Sequence, residues 1–367
     1  MSDLFAPLAL ASSVMMKNRF MLSPLTNCQS HEDGRLSEEE FGWLVMRARG
    51  GFAVTMTGAA SVQASGKGFT GQLGIYSDKH IEGLSRLAAA IRAESSIALI
   101  QLHHSGTRSV SALTGTHPVG PSAHAESGAR ALTESEIEQV IADFITAAER
   151  AERAGFDGVE IHGGPGYLLG SFLSPVMNQR SDVYGGSLDN RARILRAIIA
   201  GIRERCRPGF VLGQRLLPEG HGVKFGEMRQ LAGELLAEGA LDFLDMCLWQ
   251  VMKEPEDKTF KDRRLIDWFA DLPRGRTLLG IGGHIRTTRE AQQAIDLGAD
   301  FVLVGHAAIM HHDFPARLRQ DVGFTPVSLP VTRDYLNREG VSDKFVAYIN
   351  SLWPNFVAEE SAPELKR

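Results

Sequence analysis

The chain has 367 residues, of which 43% are hydrophobic and 23% are charged, and its formal net charge is −5. This composition excludes a disordered or fibrous chain, and the net acidity argues against a nucleic-acid partner, because phosphate binding needs a basic surface. Three widely spaced cysteines without a CxxC pair predict neither a disulfide framework nor a metal site. No apolar run approaches the roughly 18 residues of a membrane span, so a cytoplasmic protein without a membrane partner is expected.

Eight short apolar segments alternate with helical patterns along the chain, which is typical of parallel βαβ units. The predicted strands cover residues 19–25, 52–57, 97–102, 157–162, 210–216, 241–247, 277–281 and 300–305. Eight strand–helix units predict a (β/α)8 TIM barrel, with residues 1–367 forming a single domain. Its active site is expected where the strands end, at their carboxyl face. A doubly wound sheet is the alternative.

The helical patterns begin and end at residues typical of helix termini. Ser37, Thr133 and Thr288 are predicted N-caps, and glycine follows two of the helices in "AEGALDF" and "LGADFV". The predicted helices cover residues 37–49, 78–94, 133–154, 188–206, 226–238 and 288–297.

Three segments are longer than a βα unit requires. Residues 103–132 follow the third strand and residues 163–187 follow the fourth, and both are much longer than ordinary βα loops. They are expected to build a lid and a pocket wall. Residues 326–367 form a C-terminal extension, which is expected either to cap the barrel or to mediate assembly into a homo-oligomer.

The residues at the predicted strand ends suggest a ligand with a flat ring and a phosphate. Small residues end the second strand, an amide and a guanidinium follow, and glycines with exposed N–H groups end the last two strands, where such barrels commonly hold phosphate. FMN fits this set, although a non-redox aldolase or isomerase acting on a phosphorylated sugar remains an alternative. The residues are Thr26, Gly58, Ala59, Gln101, His103, His162, Arg215, Trp249, Gly282, Gly283, Gly305 and His306.

Residues 155–191, "GFDGVEIHGGPGYLLGSFLSPVMNQRSDVYGGSLDNR", resemble the active-site signature of the old yellow enzyme family of FMN-dependent ene-reductases. The motifs "NRFMLSPLTN", "IQLHHSG", "GQRLLPEG" and "GADFVLVGH" resemble that family too, so the likeness covers roughly residues 4–320. Several motifs in the correct order are far more specific than one glycine pattern. The resemblance implies an FMN enzyme that takes hydride from NAD(P)H and reduces the C=C bond of a small electron-poor alkene.

The resemblance also implies roles for residues near the flavin ring. Pro24, Leu25 and Thr26 would contact the flavin, with Thr26 at the carbonyl next to the reactive nitrogen. Ala59 and Gln101 would line the pyrimidine edge. Arg215 would lie against the N1–O2 side, where a cation stabilises the anionic reduced flavin. The alternatives are an ion pair at the barrel mouth for Arg215 and simple rim polarity for Gln101. Gly282, Gly283, Gly305 and His306 would hold the phosphate.

For catalysis, the resemblance implies that His162 donates a hydrogen bond to the substrate carbonyl. Tyr167 would supply a proton to the carbon that hydride does not attack. Donors must point at the oxygen because negative charge develops there. A structural histidine and a core tyrosine are the alternatives.

Two residues depart from the family pattern near the substrate. The family has a second donor three residues after the first, but here Pro165 has neither a side-chain donor nor an N–H. His103 stands where the family commonly has tryptophan, and it faces the same side of its strand as Gln101. We therefore hypothesise that His103 and His162 bind the substrate oxygen together; the alternative makes His103 only a pocket wall. His104 is expected to face outward and to be structural.

The phosphate end also departs from the family, because "VGH" replaces the usual Gly–Arg after the eighth strand. His306 can donate to phosphate, but it lacks the forked geometry of a guanidinium. Backbone N–H groups of Gly283 and Gly305, with Arg286, are expected to contribute more, and weaker retention of FMN is predicted. Pro165 and His306 together also allow a degenerate flavin-binding protein with a sensing role.

Several other residues have two interpretations. Cys28 is either a substrate-facing residue or an inert buried thiol. Trp249, with Met246 and Met252, forms either an apolar substrate wall or part of the core. The sequence "HHD" at residues 311–313 is expected to open the last barrel helix, so no metal site is predicted.

Overall fold

Eight parallel strands form a closed barrel in this computed structural model, which describes residues 3–358. Each strand pairs with the next, and the last pairs with the first. The TIM barrel is therefore confirmed, and a doubly wound open sheet is excluded. The strands are β1 (Phe20–Leu22), β2 (Val54–Ser61), β3 (Ile97–His103), β4 (Gly158–His162), β5 (Val211–Leu216), β6 (Phe243–Cys247), β7 (Leu278–Gly282) and β8 (Phe301–Val304).

The longer helices surround the barrel and bury an apolar face against it. In α4, for example, Ile137, Val140 and Phe144 recur at helical spacing and are buried. The helices are α1 (Glu38–Arg49), α2 (Ile81–Ala93), α3 (Ser111–Thr114), α4 (Glu134–Arg153), α5 (Leu168–Leu173), α6 (Leu188–Arg205), α7 (Phe225–Glu238), α8 (Leu265–Ala270), α9 (Thr288–Asp296), α10 (His306–Met310), α11 (Phe314–Gln320), α12 (Arg333–Arg338) and α13 (Asp343–Leu352).

Two of the three predicted N-caps are confirmed. The side chains of Ser37 and Thr133 accept hydrogen bonds from the first turns of α1 and α4. The prediction for Thr288 is wrong, because Thr287 is the N-cap of α9 and Thr288 is the first helical residue. The Glu290 side chain accepts a hydrogen bond from the Thr287 N–H, and the Thr287 side chain accepts one from the Glu290 N–H. This capping box requires that the N-cap lie three residues before the glutamate, so the N-cap is Thr287.

Strand ends differ from the predictions where the local pattern is not sufficient. β2 extends to Ser61 because its pairing with β3 shifts register between Met56 and Ala59, a bulge that brings Ala59 opposite Gln101. β7 extends by one residue to Gly282. β1 ends at Leu22, so Pro24 and Leu25 lie in the loop that follows it.

Additional segments close both ends of the barrel. A short hairpin of Leu8–Ala9 and Met15–Met16 packs against side chains of the barrel interior at the amino end of the strands. At the other end, α13 packs against α1 through Phe345 and Trp43, whose ring centroids are 5.0 Å apart. Residues 359–367 of the predicted C-terminal extension lie outside the described residues. Within residues 3–358, none of the helices combines the length and apolarity that a membrane crossing requires.

Candidate active site

Two adjoining cavities lie at the carboxyl ends of the strands. The His162 cavity has a volume of about 510 Å³ and contains His103, His162 and Tyr167. The His306 cavity has a volume of about 470 Å³ and contains the glycines that follow β7 and β8. Both volumes are typical of small-molecule sites. The two cavities form one cleft, because six residues line both: Ser23, Leu25, Arg215, Cys247, Trp249 and Trp353.

Three aromatic side chains meet in the His162 cavity. His103 ends β3, His162 ends β4, and Tyr167 is the N-cap residue of α5. The ring centroids of His103 and His162 are 4.8 Å apart, and Tyr167 lies 4.7 Å from His103 and 5.0 Å from His162. All three pairs are edge-to-face. The three side chains therefore line one space that a small ligand can occupy.

The protonation of His162 follows from its backbone contact and its burial. Its Nδ1 accepts a hydrogen bond of 3.3 Å from the N–H of Gly164, so the proton of the neutral ring is on Nε2. Burial, together with the positive charge of Arg215, lowers the pKa of His162 to about 3. The side chain is therefore a neutral donor at physiological pH.

Gln72 determines the tautomer of His103. Gln72 Oε1 accepts from the N–H of Gly68 at 2.7 Å, so Nε2 must face the other way. There it donates to the Ala59 carbonyl at 3.1 Å and to His103 Nδ1 at 3.3 Å. The proton of His103 is consequently on Nε2. Burial, with smaller contributions from His162 and His104, lowers the pKa of His103 well below its usual value, so this ring is also neutral.

Two neighbouring residues occupy positions that the sequence suggested. Pro165 lines the His162 cavity and offers no donor there. His104 is buried, with Nδ1 accepting from the N–H of Gly106 at 2.9 Å and Nε2 at 3.0 Å from Gln63 Oε1. Both of its ring nitrogens are used within the protein, which agrees with a structural histidine.

Beneath the cavity, four polar side chains form two cross-strand pairs. Gln101 on β3 donates through Nε2 to Glu160 on β4 at 2.6 Å. Arg215 on β5 lies opposite Asp245 on β6, with 3.3 Å between Nη1 and Oδ2. Arg215 thus makes the ion pair that was one of its two interpretations, and it also lines both cavities. The bond to Glu160 orients the Gln101 amide, leaving Oε1 as an acceptor for a ligand N–H.

The two carboxyl groups of this layer, Glu160 and Asp245, were missed in the sequence. Burial and the nearby Asp245 raise the pKa of Glu160 well above its usual value. Burial raises the pKa of Asp245 to about 6, although Arg215 opposes this shift. Two adjacent buried carboxyls cannot both ionise at low cost, so they hold a proton between them. Strand alternation could have indicated Glu160, since positions 160 and 162 face the same side of β4.

The His306 cavity fits a phosphate group. Gly283 has φ +146°, and a Cβ there would lie 2.9 Å from the backbone of Trp249, so only glycine leaves its N–H accessible at this wall. Among the described residues, the buried Nε of Arg286 has no hydrogen-bond partner. Burial, with Arg286 and His284, lowers the pKa of His306 to about 4. A guanidinium N–H without a partner and exposed backbone N–H groups suit an anionic ligand.

The C-terminal extension contributes residues to the site that the sequence did not indicate. Tyr348, Leu352 and Trp353 line the His162 cavity. Tyr348 hydrogen-bonds Thr26, and burial raises the pKa of Tyr348. Trp353 packs edge-to-face on His306, with 4.3 Å between ring centroids. These residues follow the eighth βα unit, so no strand-end pattern places them at the mouth.

Cys28, Trp249 and Met246 each had two interpretations, and the structure distinguishes between them. Cys28 is half-buried outside the walls of both cavities, and burial with Glu40 raises the pKa of its thiol to about 12, which agrees with an inert thiol. Trp249 lines both cavities and is 62% exposed. Met246 is fully buried in the core, so its interpretation as a cavity wall is wrong.

The "HHD" segment opens α11, as expected, with Asp313 as the N-cap residue. His312 Nδ1 lies 2.6 Å from Glu339 Oε2, and Asp313 pairs with Arg317 at 2.6 Å. The ligand atoms of His312, Asp313 and Glu339 lie within 4.8 Å of one another, a spacing that a metal ion would accept. In this structure their hydrogen bonds and ion pairs connect α11 to the end of α12.

Comparisons with known proteins agree with this geometry. The sequence model of the NADH:flavin oxidoreductase / NADH oxidase family matches residues 3–323. The probable NADH-dependent flavin oxidoreductase YqiG of Bacillus subtilis is 34% identical over 328 residues, covering 86% of this chain and 88% of the relative. The NADH:fumarate oxidoreductase of Klebsiella pneumoniae is 34% identical over 330 residues, or 85% of this chain, but the match spans only 35% of that protein.

A solved structure is similar as well. The old yellow enzyme homologue from Zymomonas mobilis aligns with a TM-score of 0.78 at 28% identity, covering 94% of this chain and 99% of that chain. These matches exclude the non-redox aldolase or isomerase. The chain belongs to the NADH:flavin oxidoreductase / NADH oxidase family, which includes the old yellow enzymes, and it is an NAD(P)H-dependent flavin oxidoreductase with FMN as its cofactor.

Proposed function

We propose that the protein reduces the C=C bond of an electron-poor alkene, with NAD(P)H as the source of hydride. His162 and His103 bind the activating oxygen of the substrate, and Tyr167 supplies the proton. One observation carries this proposal: the ring centroids of His103, His162 and Tyr167 lie within 5.0 Å of one another in one cavity, and the hydrogen bonds of both imidazoles leave an Nε2–H on each.

The chemistry follows from these protonation states. When bound, FMN supplies the hydride that adds to the alkene. Negative charge then develops on the substrate oxygen, and preorganised N–H donors stabilise it. His103 provides the second donor that Pro165 lacks. The phenol of Tyr167, which lies about equally far from both imidazoles, transfers its proton to the other alkene carbon.

Other residues of the cleft hold the cofactor in this proposal. Pro24, Leu25 and Thr26, in the loop after β1, would hold the flavin ring, together with Ala59, which lies opposite Gln101 through the bulge in β2. Gln101 Oε1 would accept a hydrogen bond from a ring N–H, and Arg215 would provide the cation that stabilises the reduced ring. For the phosphate, the groups available are Gly282, Gly283, Gly305, His306 and Arg286.

The name of the Klebsiella relative supports an alkene as substrate, because fumarate contains an activated C=C bond. That protein is much longer than this chain, so the likeness supports the class of reaction and leaves the substrate itself to experiment.

The proposal is tested by anaerobic mixing of the FMN-loaded protein with NADH or NADPH, followed by enones, nitroalkenes and maleimides. We expect loss of the oxidised flavin absorbance and its return when an alkene is added. A flavin that neither nicotinamide reduces would instead support the degenerate flavin-binding protein.

The role of His103 is tested separately. We expect His103→Ala to weaken the binding of a phenol such as 4-methylphenol at least tenfold and to lower the rate of alkene reduction by about 10²–10³, the usual cost of one preorganised donor. His117→Ala, which changes an exposed histidine of the same insertion, is the control. Unchanged phenol affinity in His103→Ala would show that this ring is only a wall.

A further inference from the structure

One cation in the His162 cavity has no role in the reaction described above. Arg108 lies in the insertion after β3 and lines the cavity together with His162 and Tyr167. Its guanidinium carbon lies 5.0 Å from the ring centroid of Tyr167. The His162 ring is also 5.0 Å from Tyr167. The guanidinium and the imidazole can therefore contact two ends of one small substrate.

Neighbouring residues hold the side chain of Arg108 in place. Its Nη2 donates to His221 Nε2 at 3.0 Å. Burial and the charge of Arg108 lower the pKa of His221, so this ring stays neutral and remains an acceptor. The backbone of His221 is held in turn: it adopts φ +47°, and its carbonyl accepts from Ser174 Oγ at 2.7 Å.

The charge of Arg108 is not neutralised within the protein. Glu219 is the acidic residue of the cavity wall, and its Oε2 pairs with Lys253 at 3.1 Å. Across residues 3–358, no carboxylate forms an ion pair with Arg108. Arg108 is exposed to solvent at the mouth of the His162 cavity, and its guanidinium can bind a carboxylate or phosphate there through charge-assisted hydrogen bonds in a forked geometry.

We propose that Arg108 binds an anionic group of the substrate, so that the preferred substrates are electron-poor alkenes that also carry a carboxylate. This inference rests on the proposed function: the activating carbonyl lies at His103 and His162, and the carboxylate lies at Arg108. His221 is a positioning residue, since it acts only by holding the guanidinium over Tyr167.

Binding to the FMN-loaded protein tests this inference without turnover. Calorimetry should show that 4-hydroxybenzoate binds more tightly than 4-hydroxybenzamide, which lacks the negative charge. We expect Arg108→Gln to reduce that preference about 10- to 100-fold, the usual contribution of a hydrogen bond to a charged group. Arg108→Lys should keep part of it. Arg49→Gln, which removes an exposed guanidinium at the end of α1, is the matched control.

Turnover provides a second measurement. The ratio of kcat/KM for 4-oxo-2-pentenoic acid to kcat/KM for its methyl ester should fall in Arg108→Gln. If Arg108→Gln changes neither the kcat/KM ratio nor the phenol preference, the inference is overturned. A variant that loses only affinity for NAD(P)H would overturn it too, because Arg108 would then bind the diphosphate of NAD(P)H. If the wild type binds both phenols equally, this inference fails alone. If it binds neither phenol and reduces neither alkene, the proposed function fails first.

Discussion

The donor role of His103 depends on a residue far away in the sequence. Gln72 lies 31 positions earlier, in the loop after β2, and its amide determines which imidazole nitrogen carries the proton. Strand alternation was enough to place His103 beside Gln101 at the cavity. It could not identify Gln72, because that contact depends on how a loop folds back over a neighbouring strand.

This dependence gives a double-mutant prediction. We expect Gln72→Leu to weaken phenol binding, because His103 loses the bond that holds its Nδ1 unprotonated. The effect should disappear in the absence of the imidazole, so the Gln72→Leu/His103→Ala double variant should bind phenol no more weakly than His103→Ala alone. Additive losses in calorimetric titrations would mean that Gln72 acts by another route.

His306 leads to a second prediction at the same scale. The ring is neutral because burial, with Arg286 and His284, lowers its pKa to about 4. A guanidinium at this position would add a permanent positive charge. We therefore expect His306→Arg to retain FMN more tightly, by about tenfold, in equilibrium dialysis. His312→Arg is the control, because His312 lies outside both cavities and pairs with Glu339 at the end of α12. Unchanged FMN affinity in His306→Arg would contradict this account of the phosphate site.

At the scale of elements, the strands were easier to predict than their ends. Each barrel strand is a short apolar run bounded by polar residues, so all eight could be found from local pattern. The bulge in β2 was not predictable, because it is a property of the pairing between β2 and β3 and not of either sequence alone. The same limit applies to α13, whose position over the mouth depends on contacts with α1 and with the loop after β1.

The cover formed by the end of α13 can be tested directly. Trp353 lines both cavities and packs on His306. Trp353 is half-buried, and loss of its aromatic surface should weaken the binding of the cofactor. We expect Trp353→Ala to release FMN about tenfold faster after dilution, measured as the rise in free FMN fluorescence. Trp268→Ala removes an indole from α8, on the outside of the barrel, and should not change that rate. Equal release rates in the wild type and Trp353→Ala would mean that the extension does not cover the phosphate end.

For the whole molecule, histidines with lowered pKa values determine the response to acid, and His221 and His284, which are exposed, contribute least. Burial is the largest cause that lowers the pKa of eight of the twelve histidines. In the unfolded chain these groups titrate near pH 6.5. Below that pH the histidines of the unfolded state bind protons, whereas those of the folded state stay neutral. The free energy of unfolding therefore falls as the pH falls. The eight residues are His80, His103, His104, His162, His221, His284, His306 and His311.

The buried carboxyls oppose this trend over a lower range. Burial raises the pKa of Asp245 to about 6 and that of Glu160 well above its usual value, so the folded state takes up protons there before the unfolded state does. Their contribution to stability therefore increases as the pH falls below about 6. With the buried Glu40, whose pKa burial also raises, they are three groups against eight, so the histidines dominate.

We expect the Tm to fall from pH 7 to pH 5 at constant ionic strength, with a steeper decrease below about pH 6.5, where most histidines of the unfolded chain are protonated, than above it. Differential scanning calorimetry of the FMN-loaded protein measures this directly. His103→Ala removes one of the eight groups and should make the decrease shallower. A Tm that rises toward pH 5 would contradict the neutral state inferred for the buried imidazoles.

The conformation and the exposure of Trp249 have a practical consequence. This residue adopts φ +58°, a left-handed conformation that costs roughly 1–2 kcal/mol for a residue with a side chain, and its indole is 62% exposed, so burial offsets little of that cost. The indole lies at the junction of the two cavities, and a bound ligand would cover it. Since indole emission shifts when water is displaced, Trp249, together with Trp353 in the same walls, provides an intrinsic optical signal of occupancy, and titrations need no added label.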